Sequence, residues 1–412
     1  MKKVGKIIIV IVCIAVVAGL GYVIPRMMKR YPEAVLSEKV KFCTEDGMYY
    51  VKNSRLCFFD AEAETEVIVC NKANCKHDTT DCNACTIGVQ PYLLCYNDNI
   101  YISEFISNIT SNEEGEDVYE AEIRLRELKQ DGSGGRTIYS ADEGAVCDLR
   151  MINGVLYFTA WTYHNGFQIN DDSVDWKLYA YDLRWKRLKV IKSYEADEEH
   201  DNANFMLQQS DRDDVLYASY SYFDSEENKT TEMLLYDIEK DTWRTLKEYQ
   251  EIMVNMIRVG DTVYLIRNEI VDDVEWGVVY KCDAELQNEK EWLRIENSSV
   301  DFLNGYMYIF NSDYNKFLYE YATGDFYFAH NAFTNEGTYV PDVYDIDAER
   351  NRIFINATDF TGYKPGDLLP GDMTDAAVAD WDTFLSENFV KLTEENEAEI
   401  KAFDWLQLPE QE

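Results

Sequence analysis

The chain has 412 residues, 39 of them Lys or Arg against 77 Asp or Glu, for a formal net charge of −38. So acidic a surface repels phosphate backbones and anionic headgroups, which argues against nucleic acid as a partner. Length alone would suggest two or three domains, but a recurring phrase points to one closed ring of repeats.

Ile7 to Ile24 is an uncharged apolar run of eighteen residues, preceded by Lys2, Lys3 and Lys6 and followed by Arg26, Lys29 and Arg30. That is just long enough to span a bilayer. A cleaved secretory signal has a shorter apolar region and a small-x-small exit, for which Val16-Val17-Ala18 is a poor fit. Cys13 follows Val12, where a lipid-attachment Cys follows a small residue. Residues 1–30 read as an uncleaved signal anchor, a single transmembrane helix that leaves the body on the extracytoplasmic side of the cell membrane; a cleaved signal peptide is the alternative. Since this segment holds six basic and no acidic residues, the body keeps 33 basic against 77 acidic, a net −44.

The body repeats one phrase: a Gly/Asp/Asn turn, then an apolar strand with Tyr near its centre. Asn153-Gly154-Val155-Leu156-Tyr157-Phe158 is its clearest copy. From Tyr50 through Tyr101, Tyr157, Tyr217, Tyr264 and Tyr308 to Phe354 the spacing is 51, 56, 60, 47, 44 and 46 residues. That is the period of four-stranded units, and the fold class is all-β, a β-propeller of four-stranded blades with seven favoured and six possible. Third strands recur as Leu56 to Asp60, Leu178 to Asp182, Leu234 to Asp237 and Val278 to Asp283, rich in residues that fit a pleated, half-buried surface. Six units carry two hairpins; the seventh carries one, Asp342 to Asp347 with Arg352 to Ala357. The propeller is placed at 31–372. Phe384, Leu385, Phe389 and Leu392, then Ile400, Phe403 and Leu406, are spaced as on helices, so 373–412 is expected to be a short helical C-terminal segment.

Between second and third strands, four units carry insertions: Glu104 to Ala121, Ala160 to Asp175, Ser221 to Glu232 and Asn268 to Trp276. Connections of this type emerge on one face of a propeller, which makes that face the variable one. Trp161, Tyr163, His164 and Trp276 are therefore the candidate ligand-binding residues, through stacking and a loop imidazole. The same aromatics would equally serve as small cores beneath their own loops.

Cys70-x4-Cys75-x-His77-x4-Cys82, followed by Cys85, lies between the first and second units in a stretch with little apolar content. Three thiolates and an imidazole suit a tetrahedral, structural Zn²⁺, whereas outside the cell disulfides compete for the same sulfurs. Metal, disulfide and free thiol all stay open on spacing alone. Cys43, Cys57, Cys95, Cys147 and Cys282 fall in predicted strands, where Cys acts as a small apolar residue.

This Cys-x4-Cys-x-His-x4-Cys-Asn-Ala loop, behind an N-terminal anchor and ahead of repeated Gly-x-x-Tyr hairpins, resembles uncharacterised membrane-anchored TolB-like β-propeller proteins of anaerobic Gram-positive bacteria. The resemblance covers most of residues 35 to 357. It implies an extracytoplasmic propeller held at the membrane, and no catalytic residue comes with it.

Gly-x-Ser-x-Gly, His-Glu-x-x-His and Walker motifs are absent, and Gly132-Ser133-Gly134-Gly135 lies in a polar turn. Acidic pairs such as Asp171-Asp172 and Asp272-Asp273 arise by chance among 77 carboxylates, and Asp211-Arg212-Asp213-Asp214 lacks the alternation of a calcium loop. The sequence points to a non-enzymatic binding module for a glycan, peptide or protein. Its alternative is a carbohydrate-active enzyme of propeller fold, a glycoside hydrolase or lyase; fold analogy does not separate them.

Overall fold

A computed structural model describes residues 35–36, 38–39, 41–77, 82–85, 91–111, 117–164, 173–197, 201–223, 228–251, 255–311, 315–330, 341–356, 376–401, 403 and 405–408. The apolar run 7–24 lies outside them, and among the described residues no helix is long and apolar enough to cross a membrane.

The architecture is all-β and propeller-like, a succession of antiparallel meanders. The first unit comprises Lys41–Cys43, Gly47–Lys52, Arg55–Asp60 and Thr65–Ile68; the second Tyr92–Tyr96, Asn99–Ser111, Asp117–Lys129 and Arg136–Ala141. The third is Ala145–Ile152, Val155–Tyr163, Val174–Asp182 and Arg187–Tyr194, and the fourth Asp201–Ser210, Val215–Phe223, Lys229–Asp237 and Thr242–Tyr249. The fifth is Asn255–Val259, Thr262–Val271, Val274–Cys282 and Lys290–Glu296, the sixth Ser298–Leu303, Tyr306–Asn311, Lys316–Glu320 and Phe326–Ala329. The seventh has three strands, Val343–Asp347, Arg352–Asn356 and Ala376–Asp380.

That last strand corrects the expectation that the C-terminal segment is purely helical. Ala376–Asp380 pairs with Arg352–Asn356, Phe389–Lys391 adds a fifth strand to the sixth unit, and Leu406–Gln407 pairs with Lys290–Glu296 of the fifth. Among the described residues of this segment only Trp381–Asn388 and Glu397–Ile400 are helical, the former capped by Asp380, whose side chain accepts the Thr383 N–H. The segment thus covers outer sheet edges that would otherwise expose unpaired backbone groups. At the other end, Val35–Leu36 pairs with Ala145–Ile152 and Glu38–Lys39 with Tyr92–Tyr96, the first strands of the third and second units.

The repeated Tyr explains the packing. Each follows a tight turn by three residues and enters the cluster shared with the next unit: Tyr101 meets Leu156 and Phe158, Tyr157 meets Phe205 and Leu216, Tyr217 meets Val263 and Leu265. Tyr264 packs with Met307 and Phe317, and Tyr308 with Ile346 and Ile353. Phe354 of the seventh unit then packs with Met48, Tyr50, Cys57 and Phe59 of the first, so the succession closes on itself. The first unit departs by one residue from the reading that aligned Tyr50. Its turn is Glu45-Asp46, Gly47 lies in the strand where a Cβ would meet the Phe59 carbonyl oxygen at 2.0 Å, and Tyr49 is the residue that reaches Leu93 and Ile100 of the second unit. A one-residue slip exchanges the two faces of a strand, so Tyr50 points back toward the seventh unit.

The expected insertions are mostly strand. Asn99–Ser111 pairs with Asp117–Lys129 along its whole length, and Thr262–Val271 turns directly into Val274–Cys282 through Asp272-Asp273, both with positive φ (51° and 65°). Two left-handed residues in succession make the hairpin turn whose twist matches its strands, so this acidic pair has a conformational role.

Buried polar side chains stitch the first strands together. Arg150, 1% exposed, donates to the carbonyls of Gln208 (3.3 Å), Ser210 (2.7 Å) and Arg212 (2.6 Å) in the fourth unit. Burial pushes its pKa down to about 10, against the pull of Asp211. Gln208 accepts the Met256 N–H of the fifth unit at 2.8 Å.

Phe354→Ala should cost about 3–5 kcal/mol in urea unfolding, the range for emptying a buried aromatic site. Because Phe354 sits at the closure, hydrogen exchange should accelerate in Gly47–Asp60 more than in Val215–Phe223; equal acceleration would show that the seventh and first units are not a separable contact.

Candidate functional site

The cysteine cluster is assembled. The ligand atoms of Cys70, Cys75, His77 and Cys82 all lie within 4.8 Å of one another, and His77 Nδ1 is 3.2 Å from Cys82 Sγ. Local backbone makes this geometry: Asn74 and His77 adopt left-handed φ of 59° and 57°, and Arg55 Nε donates to the His77 carbonyl at 2.8 Å, fixing the turn that presents the imidazole. No disulfide joins Cys70, Cys75 and Cys82 to one another in this structure. Burial acts to raise the Cys70 thiol, but the Lys72 N–H and the Cys82 and Cys75 thiols outweigh it and hold Cys70 below the usual range. Burial pushes Cys82 up to about 11 despite the Ala84 N–H.

The loop is docked on both neighbouring units. Leu56 N–H donates to the Ala84 carbonyl at 2.7 Å, and Arg126 of the second unit donates to the Asn83 carbonyl at 3.0 Å. Asn83 Nδ2 reaches the Gly132 carbonyl at 2.6 Å. Gly132, at φ 76°, abuts the loop so closely that a Cβ would lie 2.5 Å from the Val69 carbonyl oxygen. Spacing in sequence identified the four donors; the part of Arg126 and Gly132 had no local signal, because both come from the next unit.

The candidate ligand residues separate into two places. Trp161, Tyr163 and His164 share one end of the third unit's central hairpin, whereas Trp276 lies in the fifth unit. Trp161 is half-buried against the cluster between third and fourth units, with Tyr163 edge-on at 5.3 Å and Trp176 at 6.4 Å. His164 Nδ1 is 2.7 Å from Asp175 Oδ1, which also accepts the Ala196 N–H at 2.9 Å. Trp276 lies under the Arg294 guanidinium, 6.0 Å from its ring centroid, and Arg294 is itself paired with Glu269 and Glu291. The tips of the hairpins at 112–116, 165–172 and 224–227, including Asp171-Asp172, lie outside the described residues. Asp211-Arg212-Asp213-Asp214 is internally paired: Arg212 binds Asp214 with both nitrogens and Asp211 accepts the Gly260 N–H at 2.6 Å.

A cavity of about 660 Å³ opens between the fifth unit, the sixth unit and the C-terminal segment, lined by Lys281, Trp292, Tyr319, Asp325, Leu392 and Leu408. Lys281 Nζ stands 4.0 Å above the Trp292 ring and 5.3 Å from that of Tyr319, to whose hydroxyl it donates at 3.3 Å. Among the described residues no carboxylate is ion-paired with this ammonium, although Glu394 and Glu397 also line the cavity. Spacing gave no hint of the cavity, since its walls come from three separate segments within 281–292, 319–326 and 392–408.

No family model matches the chain, and no curated protein matches it. Among solved structures it is similar to the tricorn protease (8% identity, TM-score 0.38, covering 72% of this chain and 35% of that one), to an oligogalacturonate lyase from Vibrio parahaemolyticus (11%, 0.37, 88% and 86%) and to TolB from Acinetobacter baumannii (11%, 0.31, 78% and 76%). The chain spans about a third of the length of the tricorn protease. At these identities and scores the likeness assigns neither family nor activity.

The packing separates the two tryptophans by experiment. Trp161→Ala should lower stability by about 1–3 kcal/mol, as loss of core contact does, while Trp276→Ala, losing a half-exposed cation–π contact, should stay within about 1 kcal/mol. Chemical denaturation of both variants measures this; equal losses would place Trp276 in a core as well.

Proposed function

We propose that the chain is a membrane-anchored, extracytoplasmic β-propeller of seven blades that acts as a non-enzymatic binding module, and that its ligand enters the cavity between the fifth and sixth units. Seven clusters, each shared by two successive units and the last joining seventh to first, support seven blades over six. The run at 7–24 and its basic flanks support the anchor and the side on which the body lies.

The observation that carries the binding reading is Lys281. An ammonium held over aromatic faces, with no carboxylate partner among the described residues, keeps its charge available to an incoming anion. Trp292 and Tyr319, 9% and 5% exposed, line the cavity's apolar side, and Glu394, together with Asp325 and Glu397 that pair with Lys391 and Lys401, adds acceptors for hydroxyl or amide donors. A concave site of this size fits a small ligand segment. The combination supports a glycan or a peptide that bears a carboxylate over a folded protein partner.

Arrays of neutral and acidic glycans and peptides, probed with the full chain in detergent, test this. Lys281→Met, which keeps the stem on Trp292 and removes the charge, should weaken a carboxylate ligand about tenfold or more at an unchanged melting temperature. Undiminished binding would move the site elsewhere.

The anchor has its own test. A protease added to intact cells should digest the body, and the purified protein should retain Met1 to Ile24; a mature chain beginning near Gly19 would show a cleaved signal instead.

A further inference from the structure

We propose that Cys70, Cys75, His77 and Cys82 hold one zinc ion that staples the first unit to the second. Bonds of roughly 2.3 Å to sulfur and 2.0 Å to nitrogen place tetrahedral donors about 3.5 Å apart; the His77 Nδ1 to Cys82 Sγ separation is 3.2 Å, and no two of the four ligand atoms are more than 4.8 Å apart. The donors converge on one point. A disulfide among these three sulfurs would join two of them and leave the imidazole turned toward them outside the bond. Sulfur and imidazole donors without a carboxylate select a borderline-soft ion over magnesium or calcium.

The cysteines pack against the core shared by the first and second units, but the loop between them is polar. Asn71, Lys72, Ala73, Asn74 and Lys76 are exposed, so no apolar contact of their own holds the segment against the loss of chain entropy. Backbone N–H groups do point at sulfur, from Lys72 toward Cys70 and from Ala84 and Cys85 toward Cys82, which is the outer-shell arrangement that orients thiolate ligands. Four protein donors complete the tetrahedron, leaving no open position for substrate, so the ion is structural.

Its place in the fold gives it a task. The ion ties Cys70, just past the last strand of the first unit, to Cys82, from which Asn83 and Ala84 run on to bond Arg126 of the second unit and Leu56 of the first. The staple acts where the chain crosses between units, and it acts independently of the ligand cavity.

Elemental analysis of the full chain, purified without chelator, should find about one zinc per chain, and Co²⁺ exchanged into the site should show the visible absorption of a tetrahedral thiolate complex. Cys75→Ser and His77→Ala should each lose most of the zinc and melt at lower temperature, whereas His77→Cys should keep the ion and shift the cobalt spectrum. Should the serine variant fail to fold, the cobalt spectrum of the wild type and of His77→Cys still decides the matter. A metal-free wild type whose Cys70, Cys75 and Cys82 resist alkylation until reduced would overturn the proposal in favour of disulfides. Iron in place of zinc, or zinc retained at full occupancy in both Cys75→Ser and His77→Ala, would overturn it equally.

Discussion

Closure is the constraint on which the rest of the molecule depends. A three- or four-stranded sheet with apolar side chains on both faces cannot bury either alone, so each unit is stable only between two neighbours. Successive units meet this along the chain, but the first and seventh have only each other. Phe354 against Met48, Tyr50, Cys57 and Phe59 is therefore the contact that local sequence order does not supply. Residues some three hundred positions apart must meet there, at the highest loop-closure cost of any interface. Arg350 and Arg352 add polar bonds to Glu45 across the same seam.

The ends of the chain serve the same constraint in different ways. The N-terminal strands pair with the first strands of the third and second units, where neighbouring units lie against one another. The C-terminal segment instead runs back along the outer edges, third strand of the seventh unit, fifth strand of the sixth and edge pair of the fifth. One result is protection of edges; the other is the cavity, which the segment helps to line through Leu392 and Leu408.

Much of this was legible from residues alone, and the failures have physical causes. The Tyr phrase located the second strand of six units correctly because turn chemistry and apolar alternation both repeat there. It misplaced the first by one residue, since Gly47 looks like a turn glycine but sits in a strand for want of space beside Phe59. Insertions between strands looked like loops because such a hairpin end, as at Asn268 to Val271, has no buried face to reveal the strand. Ala376–Asp380 has small side chains and borrows its stability from pairing, so its own composition says little. The Cys and His cluster was visible because its four members lie close together in sequence; the cavity was not, because its residues are adjacent only after the sixth unit and the C-terminal segment have docked on the fifth.

Charge gives the last distinction. In a chain with 77 acidic residues most buried cations find a carboxylate: Arg126 and Arg124 share Glu104, and Lys316 meets Asp342 at 2.7 Å. Arg150 and Lys281 do not, and they solve the problem differently. Arg150 is sealed in the interior and satisfied by three carbonyls, dipoles that stabilise a cation without the desolvation cost of a second ion. Lys281 has aromatic faces and one hydroxyl, which hold an ammonium but leave it capable of further hydrogen bonds. The first arrangement is complete and belongs to the scaffold. The second lines an open cavity with hydrogen-bonding capacity to spare, which is what the proposed carboxylate ligand would use.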